Sequence, residues 1–324
     1  MIQESKANNS GVAYYADVET GSVDWLWYPY IPFGKITILQ GDPGEGKTTF
    51  AVQLASLLSQ GKPLPFSRQA HSPCTVIYQS AEDDPSDTIK PRLLAGNANC
   101  SRIAFIPNST ERLTMSDQRL EDAIRETGAR LVILDPLQAF VPDDCDMFRA
   151  NDMRATMTRL SNIAASTNCA VLIIGHMNKS SGAKSLYRGI GSIDIAAIAR
   201  SVLLVGRPDD HDSLRVVAHL KSNLAACGVS IGFSLNEDTG FEWVELDETY
   251  TASDLMNNRS IEDTKYGYAE RHLQALMSDG PISATDALAA LHEQGSSKRT
   301  IERAKKALHI LSYQKDGKWF WRLP

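Results

Sequence analysis

The sequence predicts an α/β fold: a mostly parallel sheet covered by helices on both faces, followed by a small unit of three helices and a hairpin. Three observations carry this expectation. Short apolar runs rich in β-branched residues alternate with helical stretches as far as Val205. One of those runs opens directly into a glycine-rich loop, Gly41–Thr48. Beyond Tyr266 both the hydrophobic period and the sign of the charge change.

The predicted strands are Lys35–Gln40, Thr75–Gln79, Ile103–Ile106, Leu131–Leu134, Ala170–Ile174 and Ser201–Val205. Their apolarity is continuous rather than alternating, the mark of strands buried on both faces. Helices are expected at Thr48–Gln60, Pro85–Asn97, Ser116–Thr127 and Asn151–Thr167, and the β-α-β-α order reads as an open sheet. Past Ser201 the runs Leu214–Leu220, Val229–Leu235 and Phe241–Val244 read as meandering edge strands with a turn at Asn236–Gly240.

The stretch Asp247–Lys265 is polar and aperiodic and is expected to be a linker. The expected division is therefore a nucleotide-binding domain over 1–246, a linker over 247–265 and a tail domain over 266–324. In the tail, Leu273, Leu276 and Met277 share one helical face, Gly280-Pro281 stops that helix, and Ile282–His292 forms a second. Ser296-Ser297 caps a third, in which Ile301, Ala304 and Leu308 line the apolar stripe. Leu311–Tyr313 and Trp319–Arg322 then flank a turn. Three helices followed by a hairpin is the winged-helix arrangement of the helix-turn-helix class.

Composition bounds the rest. The 324 residues are 43% hydrophobic and 22% charged, ordinary for a globular protein with a real core. Apolar runs fall short of the roughly 18–20 residues that span a bilayer. The N-terminus MIQESKANNS has no secretory pattern. Five scattered cysteines (Cys74, Cys100, Cys145, Cys169, Cys227) argue against a disulfide framework or zinc site and for a reducing compartment, so a cytoplasmic location without membrane contact is expected. The tail from Tyr266 carries nine Lys/Arg against six Asp/Glu, net +3, which leaves −9 on the rest of a chain of net −6. An acidic body with a basic tail hints at nucleic-acid contact.

Gly41-Asp42-Pro43-Gly44-Glu45-Gly46-Lys47-Thr48 fits G-x-x-x-x-G-K-[ST] at every fixed position, with a strand before it and a helix after it. Its backbone amides and the helix N-terminus would cradle the phosphates of ATP, with Thr49 continuing the cradle into the helix. Lys47 would reach the β/γ phosphates and the Thr48 hydroxyl would hold Mg²⁺. The run Leu131–Leu134 ends in Asp135, a second candidate metal ligand. A carboxylate to orient water is expected in Ser80-Ala81-Glu82-Asp83-Asp84: Glu82 is favoured, Asp83 competes, and Asp84 before Pro85 fits a helix cap. His176 follows the run Ala170–Ile174 by one residue and is a candidate phosphate sensor, against the plainer reading of a structural histidine.

Together these stretches resemble the RecA-type core of hexameric helicases, particularly the RepA-type helicases (AAA-class ATPases) of plasmids and phages, from about Trp25 to Trp243. The resemblance implies a RecA-like P-loop NTPase core, ATP and Mg²⁺ as ligands, a homo-oligomeric ring of six subunits, and DNA replication as the setting. It implies that Glu82 activates water and that His176 is the sensor. Ser185–Ser192 is similar to the central-channel loop, so Lys179, Lys184 and Arg188 would meet single-stranded DNA, or else the segment is a surface loop. A basic residue from the neighbouring subunit should complete the site. The matching stretch Leu220-Lys221-Ser222-Asn223 keeps Lys221 but has Asn223 where the family often has arginine, which leaves Lys221, Arg200 or Arg207 for that role.

On the third tail helix Lys298, Arg299, Arg303 and Lys306 fall away from the apolar stripe, as in a recognition helix on DNA, or on a basic face of a protein-interaction module. Lys315 and Lys318 could touch an adjacent phosphate, and Trp319 and Trp321 are expected in the core. The leading functional expectation is an ATP-driven DNA helicase of a mobile element. A DNA-binding regulatory ATPase without unwinding, or a strand-exchange or clock-like ATPase on the same fold, are the alternatives.

Overall fold

A computed structural model describes residues 13–323 apart from 68–70, 108–110, 144, 146, 148, 177–192, 209–212, 237–238, 247–249, 257–264, 279 and 316. A short hairpin of β1 (Trp25–Trp27) and β2 (Ile31–Pro32), unforeseen in the sequence, opens the fold. The parallel part of the main sheet comprises β3 (Ile36–Gly41), β4 (Val76–Ser80), β5 (Ile103–Ala104), β6 (Leu131–Asp135), β7 (Ala170–His176) and β8 (Ser201–Gly206). Strands β9 (Leu214–Ser222), β10 (Ile231–Asn236) and β11 (Gly240–Val244) extend it antiparallel, as the change of pattern after Ser201 predicts. These nine strands lie in the order β11-β10-β9-β8-β3-β7-β6-β4-β5.

The strand interiors are fully buried because helices cover both faces. On one face α1 (Lys47–Gln60) lays Phe50, Leu54 and Leu58, all 0% exposed, against Leu39, Ile133, Ile174 and Leu203. Each such side chain contributes about 1.5–3 kcal/mol of transfer free energy. Helix α2 (Lys90–Ala95) joins that face through Leu93. On the other face α3 (Gln118–Thr127), α4 (Ala150–Thr167) and α5 (Ile193–Ile198) pack Leu120, Ile124, Leu160 and Ile195 onto Ile38, Val132, Val171 and Val202. Side chains alternate across each strand, so the two sets of strand residues interleave along the sequence.

The stretch expected to be a linker contains a helix, α6 (Ala252–Met256). Tyr250, Ala252 and Leu255 bury themselves against Leu204, Val216 and Ala218 of the sheet. Its few apolar residues are enough because they meet a ready-made apolar patch, which a local sequence window cannot reveal.

The tail comprises α7 (Lys265–Leu276), β12 (Ile282–Ser283), α8 (Ala284–Glu293), α9 (Lys298–Ala307), β13 (Leu311–Lys315) and β14 (Lys318–Arg322). Its strands form a separate antiparallel sheet, β12-β14-β13. Leu273, Met277, Leu291, Ile301, Ala304 and Trp321 make its core. The Ser297 hydroxyl accepts the Thr300 N–H at 3.2 Å and starts α9 where the sequence places it. Ile282 and Ser283 pair with β14 before α8 begins. Trp321 is buried as expected; Trp319 is not, standing 56% exposed beside the hairpin turn.

Candidate active site

Four parallel strands deliver the candidate residues to one edge of the sheet. Strand β3 ends in the phosphate loop, β4 leads to Glu82, β6 ends at Asp135 and β7 at His176. In open α/β sheets that carboxyl edge is where ligands bind. The loop turns through Gly44 (φ +83°) and Gly46 (φ +80°), which L-residues rarely adopt. A Cβ on Gly46 would also stand 2.6 Å from Leu235 Cδ1, so the loop is seated directly on β10.

Lys47 is buried, and its ammonium donates to the carbonyls of Gly41 (2.9 Å) and Asp42 (2.7 Å). Burial lowers its pKa, while Asp135, Asp42, Glu45 and Glu82 pull it back up. These four carboxylates are therefore within electrostatic reach of one cation. The Thr48 hydroxyl donates to Asp135 Oδ2 at 2.8 Å. The Tyr78 hydroxyl, buried in β4, donates to the same oxygen at 3.0 Å. Burial pushes the Asp135 carboxyl above its ordinary range, and the two hydroxyls oppose that shift. A buried carboxylate and a hydroxyl beside a ring of loop amides are hard oxygen donors, and they fit a Mg²⁺–nucleotide.

The three acids after β4 take different positions. Asp83 accepts from Arg92 Nη1 at 2.9 Å. Asp84 accepts the Ser86 hydroxyl (2.6 Å) and the N–H groups of Ser86 (2.7 Å) and Asp87 (3.3 Å), and the hydroxyl first, then the two amides, hold its carboxyl below the usual range. It thereby caps one wide turn, Pro85–Ile89, in which the Ile89 N–H reaches back to the Asp84 carbonyl at 3.0 Å. Glu82 instead stands 3.9 Å from His176 Nε2, with its side chain 65% exposed.

Other predicted residues lie elsewhere. The Glu45 carboxylate lies near two arginines of its own chain, Arg215 Nε at 3.3 Å and Arg207 Nη2 at 3.9 Å. Arg207, one of the three candidates for a role between subunits, thus lies beside the phosphate loop of its own chain. Lys221 is not brought to the loop: its ammonium donates to the carbonyls of Ala196 (2.7 Å), Ala197 (3.2 Å) and Ala199 (2.9 Å), capping the C-terminal end of α5. Arg200 is exposed next to it. Lys179, Lys184 and Arg188 lie outside the described residues. Lys298 and Lys306 are exposed on α9, whereas the side chains of Arg299 and Arg303 on that helix lie outside the description.

Tyr78 and Arg215 are the two residues that motif reading misses. A tyrosine inside a buried strand needs a partner for its hydroxyl, which is the signal that could have flagged Tyr78. Arg215 offers only an arginine within an apolar strand.

The fold is a RecA-like α/β fold, and the site is that of a P-loop ATPase. One solved structure, the ATPase domain of another protein, matches 66% of this chain and 85% of its own at 16% identity, with a TM-score of 0.50. A DnaB-like replicative helicase, solved to show its interactions with primase, matches 66% of this chain and 58% of its own at 15% identity, with a TM-score of 0.52. Both likenesses concern the fold. Residues 5–182 match the AAA domain family AAA_25, and the chain belongs to that family. It is also similar to the DNA repair protein RadA of Halalkalibacterium halodurans, 25% identical over 252 residues (75% of this chain, 46% of that protein). RadA of Mycobacterium tuberculosis is 25% identical over 219 residues, 65% of this chain and 39% of that protein. The chain thus spans less than half the length of these curated relatives. Among the described residues no helix is long and apolar enough to cross a membrane.

Proposed function

We propose that the chain is an ATP-dependent DNA motor of the cytoplasm, a replicative helicase of a plasmid or phage that hydrolyses ATP between the subunits of a hexameric ring. The observation that carries this reading is the convergence of Lys47, the Thr48–Asp135 pair and the Glu82–His176 pair on one sheet edge. Its similarity to the DNA repair protein RadA, and the sharing of its fold with a DnaB-like replicative helicase, support a DNA-directed use of that site.

In this reading Gly41–Thr49 grip the triphosphate through main-chain amides, and Lys47 leaves its two carbonyls for the β/γ phosphates. Thr48 and Asp135 would hold Mg²⁺, which would share the charge of the phosphates. Glu82 holds the attacking water in line, and His176 senses the terminal phosphate. Lys179, Lys184 and Arg188 contact single-stranded DNA in the ring channel. A basic residue of the neighbouring subunit, Lys221 or else Arg207 or Arg200, completes the site across the interface. The chain divides at about 246 and 266, and the tail is a winged helix that meets DNA through Lys298, Arg299, Arg303 and Lys306.

Glu82→Gln tests the chemistry: it should retain ATP and lose turnover, and normal hydrolysis would place the base elsewhere. Single-stranded DNA should stimulate ATP turnover, with the stimulation lost in Arg188→Ala. Duplex binding lost in Arg299→Ala and Arg303→Ala, without any strand displacement by the parent protein, would replace the motor with a regulatory ATPase.

A further inference from the structure

We propose that the outer face of the tail's three-stranded sheet is a stacking surface for single-stranded nucleic acid. Directly opposed residues of an antiparallel ladder share a face, and so do residues two apart along a strand. The β13–β14 register pairs Leu311 with Arg322, Tyr313 with Phe320, and Lys315 with Lys318. These six side chains therefore lie on one face. The opposite face carries Trp321, buried against the helices with Leu273, Leu291 and Ile301. The face of Tyr313 and Phe320 accordingly points away from the helices, and neither ring belongs to the tail's core cluster.

The two rings stack with centroids 5.9 Å apart and planes at 26°. Leu311 beside them is 45% exposed, and Lys315, Lys318 and Arg322 are exposed. Aromatic rings held outside a core with cations around them combine the two features that unpaired strands need. Bases stack on the rings and phosphates meet the charges. A duplex keeps its base faces in its own stack, so it could use only the cations. Occupation by a single strand is therefore what the rings select. The surface is distinct from Lys298 and Lys306 on α9, and it does not rest on the hydrolytic or unwinding activity proposed above.

The test uses the full chain without nucleotide. An oligodeoxythymidine carrying 5-iodouracil is photo-crosslinked and the attached peptides are mapped by mass spectrometry. Crosslinks at Tyr313 or Phe320 are expected. By fluorescence anisotropy, Tyr313→Ala and Phe320→Ala should each weaken binding of the oligonucleotide about tenfold. Tyr313→Phe should restore parental affinity, and ATP turnover without DNA should not change in any of the three. Crosslinks confined to other segments, parental affinity in the double alanine variant, or an equal loss of duplex binding would each overturn the proposal. None of those results would bear on Glu82.

Discussion

Tyr78→Phe removes one oxygen atom from the site and leaves the ring in its buried place. That oxygen is one of two donors on Asp135 Oδ2, the other being the Thr48 hydroxyl. A hydrogen bond to a charged acceptor is worth about 1.5–3 kcal/mol. The two hydroxyls are also what opposes the upward shift that burial imposes on this carboxyl, so losing one moves it further toward the protonated form. At about 1.4 kcal/mol per factor of ten, the loss corresponds to roughly ten- to hundredfold weaker metal affinity, which is the usual range for partners that orient a ligand. The measurement is a Mg²⁺ titration of ATP turnover at saturating ATP. The midpoint should rise at least about tenfold, while maximal turnover at high Mg²⁺ recovers most of the parental value. A midpoint within twofold of the parent would refute the assignment of Asp135 as a metal ligand that Tyr78 orients.

Gly46→Ala should abolish nucleotide binding as read by a fluorescent ATP analogue, because an added Cβ meets Leu235 and the backbone sits at φ +80°. Lys221→Met should lower the thermal unfolding midpoint by about the equivalent of 1–3 kcal/mol, since three carbonyls at the end of α5 lose their donor. An unchanged midpoint with turnover abolished would instead make Lys221 a residue that acts across an interface. His219 accepts the Gly228 N–H on Nδ1 at 2.9 Å, stacks on Tyr30 and is held neutral by burial, its pKa pushed down to about 4. Its unfolded form takes up a proton near pH 6.5. Stability should therefore be complete above that pH and decline as pH falls toward 4, by at most about 3 kcal/mol. Urea unfolding of His219→Gln should show a flatter profile across that window.

Much of the sheet was legible because buried parallel strands leave continuous apolar runs, and the loop was legible because phosphate binding fixes residue types at fixed spacing. Asp135 and His176 follow from standing at strand ends. What stayed hidden depends on partners far apart in the chain. Lys221 becomes a helix cap only because β9 runs beside α5. The Asp83–Arg92 pair leaves Glu82 facing the site, but the competition among three neighbouring acids is undecidable until their partners are known. Helix α6 and the β1–β2 hairpin are short pieces that local patterning cannot distinguish from loop. Trp319 shows the converse error, an aromatic residue assigned to the interior by type alone.

Strand β9 carries Arg215 near one end and Lys221 near the other, six residues on, about 20 Å at the rise of an extended chain. The first holds the glutamate of the phosphate loop, and the second holds the last turn of the helix that emerges from segment 177–192. One strand thus ties two distant parts of the molecule together, the phosphate loop at one end and the foot of α5 at the other.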